Sequence, residues 1–423
     1  MAQAEVLIVG AGLAGLACAL QLQEKQIPFR ILEASDGVGG RVRTDEHEGF
    51  LLDRGFQVFL TAYPECFEVL DYAALELKNF MPGAMIRLSG DFHKFSDPYR
   101  NRADLIATLT APIGSFRDKL RMSSLRSRLR RASEDQILSA TRHTTNFLLK
   151  GEGFSPRMID RFFRPFMGGI MLDSSLMPSS RMFEYIFKMM AEGDTAVPAK
   201  GMGEIPKQLA ARLPEGSIRL NARVASIADE AVTLESGEVI SGSAVVLACE
   251  GLEASRLAPE LIPAQRWRGA TCLYFSAPAP PLEGPWLVLN GNNQWPINNM
   301  AVMSEVSPAY APAGRALISI TVLGKPTQSD EEIQLAVLAQ LQRWFGREAR
   351  EWQYLRAYRI FHAQPEVIPV PPAESPARLG RHLFVAGDHR LMPSINFAMV
   401  SGRQAGEAVV AALMPSSAAA QPA

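Results

Sequence analysis

Residues 5–23 read EVLIVGAGLAGLACALQLQ, an apolar run followed by a glycine-rich turn and an apolar helical period. Residues 6–9 form the predicted buried strand, and the turn carries the spacing Gly10-x-Gly12-x-x-Gly15. The first glycine permits the tight turn, the second lets the backbone approach a pyrophosphate, and the third lets the helix pack closely on the sheet. The amide end of the helix then faces the anion. The stretch therefore predicts a Rossmann-type α/β fold with a dinucleotide site.

The next predicted strand supports this interpretation. Its sequence, FRILE, ends in Glu33, 18 residues after Gly15. An acidic residue at this point typically accepts hydrogen bonds from the adenosine ribose and disfavours a 2′-phosphate. A tight turn without a ligand is the alternative, but here the strand, the helix and the acid are all in place.

The segment SDGVGGRVRT, residues 35–44, follows directly and contains the doublet Gly39-Gly40 and then Arg41. A glycine doublet frees the backbone to run past a cofactor, and a guanidinium beside it would neutralise a pyrophosphate. A flexible surface turn is the alternative interpretation of this segment.

Composition restricts the class of protein. A chain of 423 residues, 47% hydrophobic and 21% charged, predicts two globular domains, and a net charge of −1 gives no sign of nucleic-acid binding. The four cysteines are scattered without a C-x-x-C spacing: Cys18, Cys66, Cys249 and Cys272. We therefore expect neither a disulfide framework nor a metal site, and we expect the protein to lie in the reducing cytoplasm. The N-terminus has no basic segment before its strand, which predicts no secretory signal.

Several segments together resemble the FAD superfamily of flavin amine oxidases, protoporphyrinogen oxidases and phytoene desaturases. In chain order they are GAGLAGLACA (10–19), LEASDGVGGRVRT (32–44), LLDRGFQVFL (51–60), VPAKGMGEIPKQLA (197–210), RVASI (223–227) with AVVLAC (244–249), and LFVAGDHRLMPSINFAMVSGRQAGEAV (383–409). The segment VMSEVSPAYAPAGRALISITVLG (302–324) looks most similar to the phytoene-desaturase branch. The resemblance covers about half of the chain.

The resemblance implies a glutathione-reductase-like FAD-binding domain of the Rossmann type, built from discontinuous segments, and a mixed α+β substrate domain. The FAD domain would comprise residues 1–85, 196–265 and 376–415. Residues 86–195, mostly helical, and 266–375 would form the substrate domain, and residues 416–423 a disordered tail. Within 266–375, ATCLYF and RALISITVL are predicted strands, and DEEIQLAVLAQLQRWF (330–345) is a predicted helix.

It also implies roles for individual positions. The ADP half of FAD would lie on Gly10, Gly12, Ala14, Gly15 and Glu33, the pyrophosphate and flavin approach on Gly39, Gly40 and Arg41, and the adenine on the backbone of Val224. Gly387 and Asp388 would contact the ribityl chain, and a helix starting near Asn396 and Phe397 would face the pyrimidine end of the flavin. A helix N-terminus there would stabilise negative charge on a reduced flavin.

Two departures from the amine oxidases argue against an amine substrate. Ser394 stands where those enzymes usually place a tyrosine of an aromatic cage. The strand GATCLYFSA (269–277) lacks the lysine that they usually hold near the flavin.

Two residues are candidates for acid–base chemistry. His389 directly follows Asp388, and simple solvent exposure is the alternative for it. Lys200 replaces a glycine of the P-x-G-G-M stretch of the phytoene desaturases, close to the expected cofactor, and an incidental loop lysine is the alternative. Because no cysteine lies in residues 387–402, we expect FAD to be bound non-covalently.

Two further stretches bear on the substrate. Residues 158–202 hold eight of the 17 methionines and five phenylalanines, which suit either a hydrophobic tunnel or ordinary core packing. Residues 117–131, RDKLRMSSLRSRLRR, are basic, with a narrow apolar stripe of Met122, Leu125 and Leu129. They predict either peripheral contact with a membrane or a solvated helix.

These observations predict an FAD-dependent oxidoreductase of the cytoplasm that desaturates or isomerises a hydrophobic isoprenoid or polyene. There is only one dinucleotide fingerprint, so O2 or a quinone, rather than NADPH, is the expected electron partner. The alternatives are an amine oxidase, a protoporphyrinogen-type oxidase using O2, and a non-catalytic carrier like the GDP-dissociation inhibitors, which share this fold.

Overall fold

The computed structural model describes residues 5–366 and 376–414. The predicted disordered tail, residues 416–423, lies outside the described residues. The strands, in chain order, are β1 (Val6–Val9), β2 (Phe29–Leu32), β3 (Thr44–His47), β4 (Phe50–Asp53), β5 (Phe59–Leu60), β6 (Lys78–Asn79), β7 (Gly83–Leu88), β8 (Asp91–Ser96), β9 (Thr195–Val197), β10 (Ile218–Arg219), β11 (Val224–Ala228), β12 (Ala231–Leu234), β13 (Val239–Ser241), β14 (Ala244–Leu247), β15 (Trp267–Ala277), β16 (Leu287–Asn290), β17 (Asn299–Val302), β18 (Ala316–Leu323), β19 (Gln353–Pro365) and β20 (Leu383–Val385).

The α-helices, in the same order, are α1 (Leu13–Glu24), α2 (Pro64–Val69), α3 (Tyr72–Leu75), α4 (Leu105–Thr110), α5 (Phe116–Arg131), α6 (Glu134–Ser139), α7 (Thr145–Gly151), α8 (Pro156–Met158), α9 (Arg164–Met171), α10 (Ser180–Glu192), α11 (Glu204–Ala210), α12 (Gly251–Leu257), α13 (Met303–Val306), α14 (Asp330–Phe345) and α15 (Ile395–Leu413). Short 3₁₀ turns lie at Arg102–Asp104, Pro308–Tyr310, Glu348–Arg350 and Asp388–Arg390, and a π-helical turn at Ile159–Phe163.

A five-stranded parallel sheet forms one half of the molecule, in the order β10-β2-β1-β14-β20. Its central strands, VLIV and AVVL, are buried at every residue, as expected for a parallel sheet covered on both faces. All five strands lie within the three segments that the sequence predicts for the FAD domain. The predicted α/β fold class is therefore confirmed.

A seven-stranded sheet forms the second half, in the order β19-β15-β18-β17-β16-β7-β8. Its pairs are antiparallel except β16 with β7. The predicted strands ATCLYF and RALISITVL lie in β15 and β18, and the predicted helix over residues 330–345 is α14, begun by a capping box between Ser329 and Glu332. The sheet takes β7 from residue 83, slightly before the expected boundary, and the exact domain division stays a prediction.

Helices α1 and α15 lie side by side with their backbones in contact. A Cβ on Gly402 would lie 2.1 Å from the carbonyl oxygen of Ala14, and a Cβ on Gly406 would lie 2.7 Å from Cβ of Gln21. Later residues of α15 therefore meet later residues of α1, so the two helices run parallel. Their N-termini consequently point toward the same end of the parallel sheet.

The buried carboxylate of Asp53 joins several distant segments near that end. It accepts hydrogen bonds from the hydroxyls of Thr44 (2.5 Å) and Tyr310 (2.8 Å) and from the amide of Met202 (2.9 Å). The hydroxyl of Tyr274, on β15, donates to the carbonyl of Asp53 (2.8 Å). These bonds fix the end of β4 against the seven-stranded sheet.

We predict that Gly402→Ala destabilises the protein by about 3 kcal/mol or more, because the added methyl forces the two helix backbones apart. Gly151→Ala is the matched control, since its Cβ would meet nothing within 4 Å. We expect that control to be neutral or stabilising by up to about 1 kcal/mol. Thermal unfolding of both variants measures the difference, and equal melting temperatures would refute the close contact.

The pH dependence of stability tests the Asp53 cluster. Burial raises the pKa of Asp53 from 3.8 to about 6, so the folded state holds this proton more tightly than the unfolded chain. Stability is lost as the pH rises from about 4 to about 6, by on the order of 3 kcal/mol. Asp53→Asn keeps an acceptor oxygen but cannot ionise, so its unfolding free energy should lack this decline. Identical pH profiles in urea denaturation would contradict the assignment.

Candidate functional site

A cleft of about 990 Å³ begins at the carboxyl edge of the parallel sheet and continues between β15–β18 and helices α9 and α10. It then extends to the surface beside α4 and α5. In open α/β sheets this carboxyl edge is where ligands bind. The cleft therefore joins the predicted dinucleotide site to the second half of the molecule.

The glycine turn borders one end of the cleft. A Cβ on Gly12 would meet no atom within 4 Å, so the backbone here is open to a ligand. A Cβ on Gly15 would lie 2.0 Å from the carbonyl oxygen of Gly10, which explains the close packing of α1 on β1. No side chain caps the N-terminus of α1, and Ala14 also lines the cleft. The free amide end of α1 thus forms an anion site of the kind that a pyrophosphate requires.

Glu33 lines the same end and is held in place by its own loop. Its Oε2 accepts the amide of Ala11 (2.7 Å), and its Oε1 accepts the amide (2.8 Å) and hydroxyl (2.7 Å) of Ser35. A carboxylate has about four acceptor positions, so these three bonds leave one for a ribose hydroxyl.

Residues 39–41 run alongside the glycine turn. The amide of Gly39 donates to the carbonyl of Ala11 (2.8 Å), and Gly40 adopts φ +58° next to Gly12. Arg41 then reaches across the cleft wall, where its Nη2 lies 2.6 Å from Oδ1 of Asp388. Its Nη1 also donates to the carbonyl of Ala363 (2.9 Å). Two residues predicted as separate cofactor contacts therefore form one ion pair.

Other predicted cofactor contacts also line the cleft. Val224 does so at the start of β11, although its carbonyl accepts a hydrogen bond from Arg256 (3.0 Å). Gly387 borders the cleft beside Asp388, and its amide donates to the hydroxyl of Ser401 (3.0 Å).

Sequence reasoning missed Glu250, a further acid in the cleft wall. Its Oε1 lies 2.9 Å from Nδ1 of His362. Burial raises the pKa of Glu250, while its interactions with His362 and Arg41 oppose that rise. The sequence did contain a signal, because Glu250 follows the buried strand β14 much as Asp388 follows β20.

At the start of α15 the predicted contact is the amide end of the helix, and the side chains of Asn396 and Phe397 lie outside the cleft wall. The side-chain amide of Asn396 accepts the backbone N–H of Glu65 (3.0 Å) and donates to the hydroxyl of Tyr185 (3.1 Å). The ring of Phe397 packs on Tyr185 with centroids 5.0 Å apart. Both side chains therefore pack against neighbouring helices. The residues of this segment that line the cleft are Pro393, Ser394, Ile395 and Ala398.

Neither candidate for acid–base chemistry lies in the cleft wall. His389 is buried beneath it, where its ring packs against Gly251 and Gly387, and burial lowers its pKa to about 4. The alternative of solvent exposure is also wrong for His389. Lys200 is exposed in the turn before Gly201, so its ammonium lies in solvent. Because neither His389 nor Lys200 belongs to the described cleft wall, we assign no catalytic role to either residue.

The methionine- and phenylalanine-rich stretch, residues 158–202, contributes both to core packing and to the wall of the cleft. Some of its side chains are fully enclosed in the core: Met158, Phe163, Met167, Met171, Phe183, Met189 and Met202. Others form an apolar inner wall of the cleft: Phe162, Phe166, Met182, Ile186, Phe187 and Met190.

Charged side chains line the outer part of the cleft, but each has a partner. Arg126 pairs with Asp97 (2.9 Å), and Arg100 pairs with Asp194. Lys119 donates to the carbonyl of Ala111 (3.0 Å). The charges of the two arginines are therefore compensated by carboxylates, whereas Lys119 is bonded to a neutral carbonyl and keeps its positive charge.

Within residues 5–366 and 376–414, no group of His, Cys, Asp and Glu side chains is arranged to hold a metal ion. Across the same residues, no helix has both the length and the apolar character needed to span a bilayer.

The model of the family "Flavin containing amine oxidoreductase" matches residues 13–410. Among curated proteins, coproporphyrinogen III oxidase of Propionibacterium freudenreichii subsp. freudenreichii is 31% identical over 84 residues, which are 20% of this chain and 16% of that protein. The lycopene-forming phytoene desaturase of Pantoea ananas is 38% identical over 74 residues, 18% of this chain and 15% of that protein.

The similarity to solved structures extends over the whole fold. A redesigned putrescine oxidase superposes with a TM-score of 0.70 and 17% identity, covering 97% of this chain and 99% of that one. At this identity the similarity establishes the fold alone. The curated relatives match this chain over only about a sixth of their own lengths.

We predict that Gly12→Ala lowers flavin content at least about tenfold, because the methyl would occupy the space needed by a pyrophosphate. The fold should be unaffected, since the added Cβ meets no neighbour. Gly15→Ala is the contrasting variant and should unfold the domain. Absorbance at about 450 nm relative to protein, together with thermal unfolding, separates the two effects. Wild-type flavin content in Gly12→Ala would contradict the placement.

Proposed function

The chain belongs to the family of flavin-containing amine oxidoreductases, whose members are FAD-dependent oxidoreductases, and on this premise we propose that it acts on a neutral, hydrophobic substrate such as an isoprenoid or polyene. The proposed reaction is desaturation of a C–C bond, with redox-neutral isomerisation as a close variant. The apolar inner wall of the cleft is the observation that carries this proposal.

The described residues fit FAD well. The open backbone at Gly12, the uncapped end of α1 and the carboxylate of Glu33 suit the ADP half, and the start of α15 borders the cleft further along. When bound, FAD would supply two-electron chemistry with a substrate carbon. Non-covalent binding stays our expectation, and His389, which adjoins the predicted ribityl contact Asp388, is buried outside the cleft wall.

The protein's own contribution would be orientation, exclusion of water and charge stabilisation. Phe166, Ile186 and Met190 present hydrocarbon and thioether surface that suits a flexible apolar chain. The same surface keeps water from the reacting end. The helix start at Ser394 would stabilise negative charge on the reduced cofactor. Asp388 and Glu250, acids at the cofactor end of the described wall, are engaged by Arg41 and His362, and we assign no proton transfer to a side chain.

An amine substrate fits less well. Ser394, which stands in place of a cage tyrosine, lines the cleft and uses its hydroxyl to accept the amide of Phe397 (3.1 Å). Strand β15 contributes Ala270 and Cys272 to the wall and contains no lysine. A neutral amine would thus find neither of the groups that orient it in amine oxidases.

Porphyrinogen oxidation is the second candidate, favoured by the match to coproporphyrinogen III oxidase. A porphyrinogen carries carboxylates, which would need free cations among the residues that line the cleft. Because Arg100 and Arg126 are already paired with carboxylates, the structure favours an uncharged substrate instead. A non-catalytic carrier, the remaining alternative, has no need of the dinucleotide cradle.

Anaerobic mixing of the purified flavoprotein with substrate panels tests this function. We expect polyenes to bleach the flavin absorbance at about 450 nm and amines to leave it unchanged. If the reaction is redox-neutral, the chemically reduced protein should instead convert one polyene isomer to another. Ile186→Asn should slow either reaction at least about tenfold, because it places an amide in the apolar wall. Flavin content is the internal control for that variant.

Three results would contradict the proposal. Bleaching by amines would support the amine oxidase, and turnover of a porphyrinogen alone would support the second candidate. A purified protein without flavin would support the carrier. O2 and quinones, added after reduction, identify the electron acceptor.

A further inference from the structure

The rim of the cleft exposes a group of large apolar side chains. We name it the mouth patch, and it comprises Tyr99, Leu105, Ile106, Leu109, Phe116 and Leu120. Ile106 is 76% exposed and Phe116 62% exposed, although solvent exposure of such side chains is unfavourable. All of these residues except Ile106 also line the cleft, so the cleft opens to the surface through the patch. A contiguous exposed apolar rim of this kind is typical of an interaction site.

The patch lies on a different face of α5 from the stripe that the sequence suggested for membrane contact. Leu125 and Leu129 of that stripe are buried, and Met122 is half-buried against the same core. The stripe holds α5 on the rest of the protein, so contact of residues 117–131 with a membrane would have to use the exposed face of the helix. Phe116 and Leu120, one turn apart at the start of the helix, remain exposed beside α4.

Positive charge surrounds the mouth patch. Residues 98–131 contain nine Lys or Arg residues and only two acids, Asp104 and Asp118. Three of the nine pair with acids outside this segment: Arg100 with Asp194, Arg126 with Asp97, and Arg128 with Glu152 and Glu184. Both acids are buried and hydrogen-bonded, Asp104 by Ser96 (3.0 Å) and Asp118 by the hydroxyl of Ser155 (2.8 Å). Burial alone would raise the pKa of Asp118, but its hydrogen bonds outweigh that effect and lower the pKa. Exposed arginines such as Arg102 and Arg117 are therefore not offset by acids on the surrounding surface of this segment.

We propose that the mouth patch docks on the surface of an anionic lipid bilayer. Apolar side chains flanked by arginines are the combination that binds an anionic interface, since the hydrocarbon enters the acyl boundary and the cations meet the headgroups. Docking would place the opening of the cleft against the bilayer, so that an apolar substrate passes between lipid and cleft without crossing water. The benefit to catalysis rests on the proposed function, whereas docking itself depends only on this surface.

Vesicle flotation with the purified flavoprotein tests docking without turnover. We expect binding to equimolar phosphatidylglycerol and phosphatidylcholine vesicles, weakened by salt, and much weaker binding to pure phosphatidylcholine. The double variant Ile106→Glu, Leu120→Glu should lose at least about tenfold in affinity, and Arg117→Glu should lose selectivity for the anionic vesicles. Leu335→Glu is the matched control, because Leu335 is 66% exposed on α14, outside the patch. It should bind like the wild type.

Wild-type protein that ignores both kinds of vesicle would overturn the proposal, as would equal loss of binding in Leu335→Glu. A dimer in solution that the double variant converts to a monomer would also overturn it, because the patch would then join two copies of the chain. Flavin content and bleaching by detergent-solubilised polyene are measured on the same samples. Normal bleaching without vesicle binding rejects docking alone, whereas vesicle binding without bleaching rejects the proposed function alone.

Discussion

The backbone contact between helices α1 and α15 is the constraint on which the rest of the site depends. It requires glycine at residues 402 and 406, because any side chain at Gly402 would overlap the carbonyl of Ala14. The contact aligns helices from the two ends of the chain in parallel, with both N-termini directed toward the carboxyl edge of one sheet. The ion pair of Arg41 with Asp388, 347 residues apart, joins the same two ends of the chain across the cleft. Because of this packing, residues from the two ends of the chain together form one candidate cofactor site.

The cleft changes character along its length. The end at the parallel sheet has backbone amides and the hydrogen-bonded carboxylate of Glu33, which suit the phosphates and ribose of a dinucleotide. The middle of the cleft has aromatic, methionine and aliphatic side chains, where an unpaired charge would lose its hydration without a compensating partner. The outer arginines are paired with carboxylates, as Arg126 with Asp97 illustrates. The polar end of the cleft is therefore suited to bind the cofactor, and the apolar middle is suited to determine which substrate binds.

Local patterns in the sequence predicted the parts of the fold that local physics determines. The glycine spacing at residues 10–15, the acid at Glu33 and helix α14 all follow from turn geometry, strand ends and capping. The direction in which a side chain points was not predictable in the same way. His389 and Lys200 looked suitable by chemistry and sequence neighbourhood, yet one packs beneath the wall and the other points to solvent. The division of the methionine-rich stretch between core and cleft depends on the packing of whole helices, which periodicity alone does not resolve. Glu250 shows the converse, because it follows a buried strand much as Asp388 does, and yet only the structure revealed its place in the cleft wall.

Titration of the flavin-free protein with FAD and with riboflavin tests the central claim most directly. If the two chain ends form one site that holds the ADP half of FAD, one molecule of FAD should bind to each chain. Riboflavin, which lacks that half, should bind at least about a hundredfold more weakly. Equal affinity for the two ligands, or no binding of FAD, would contradict the account.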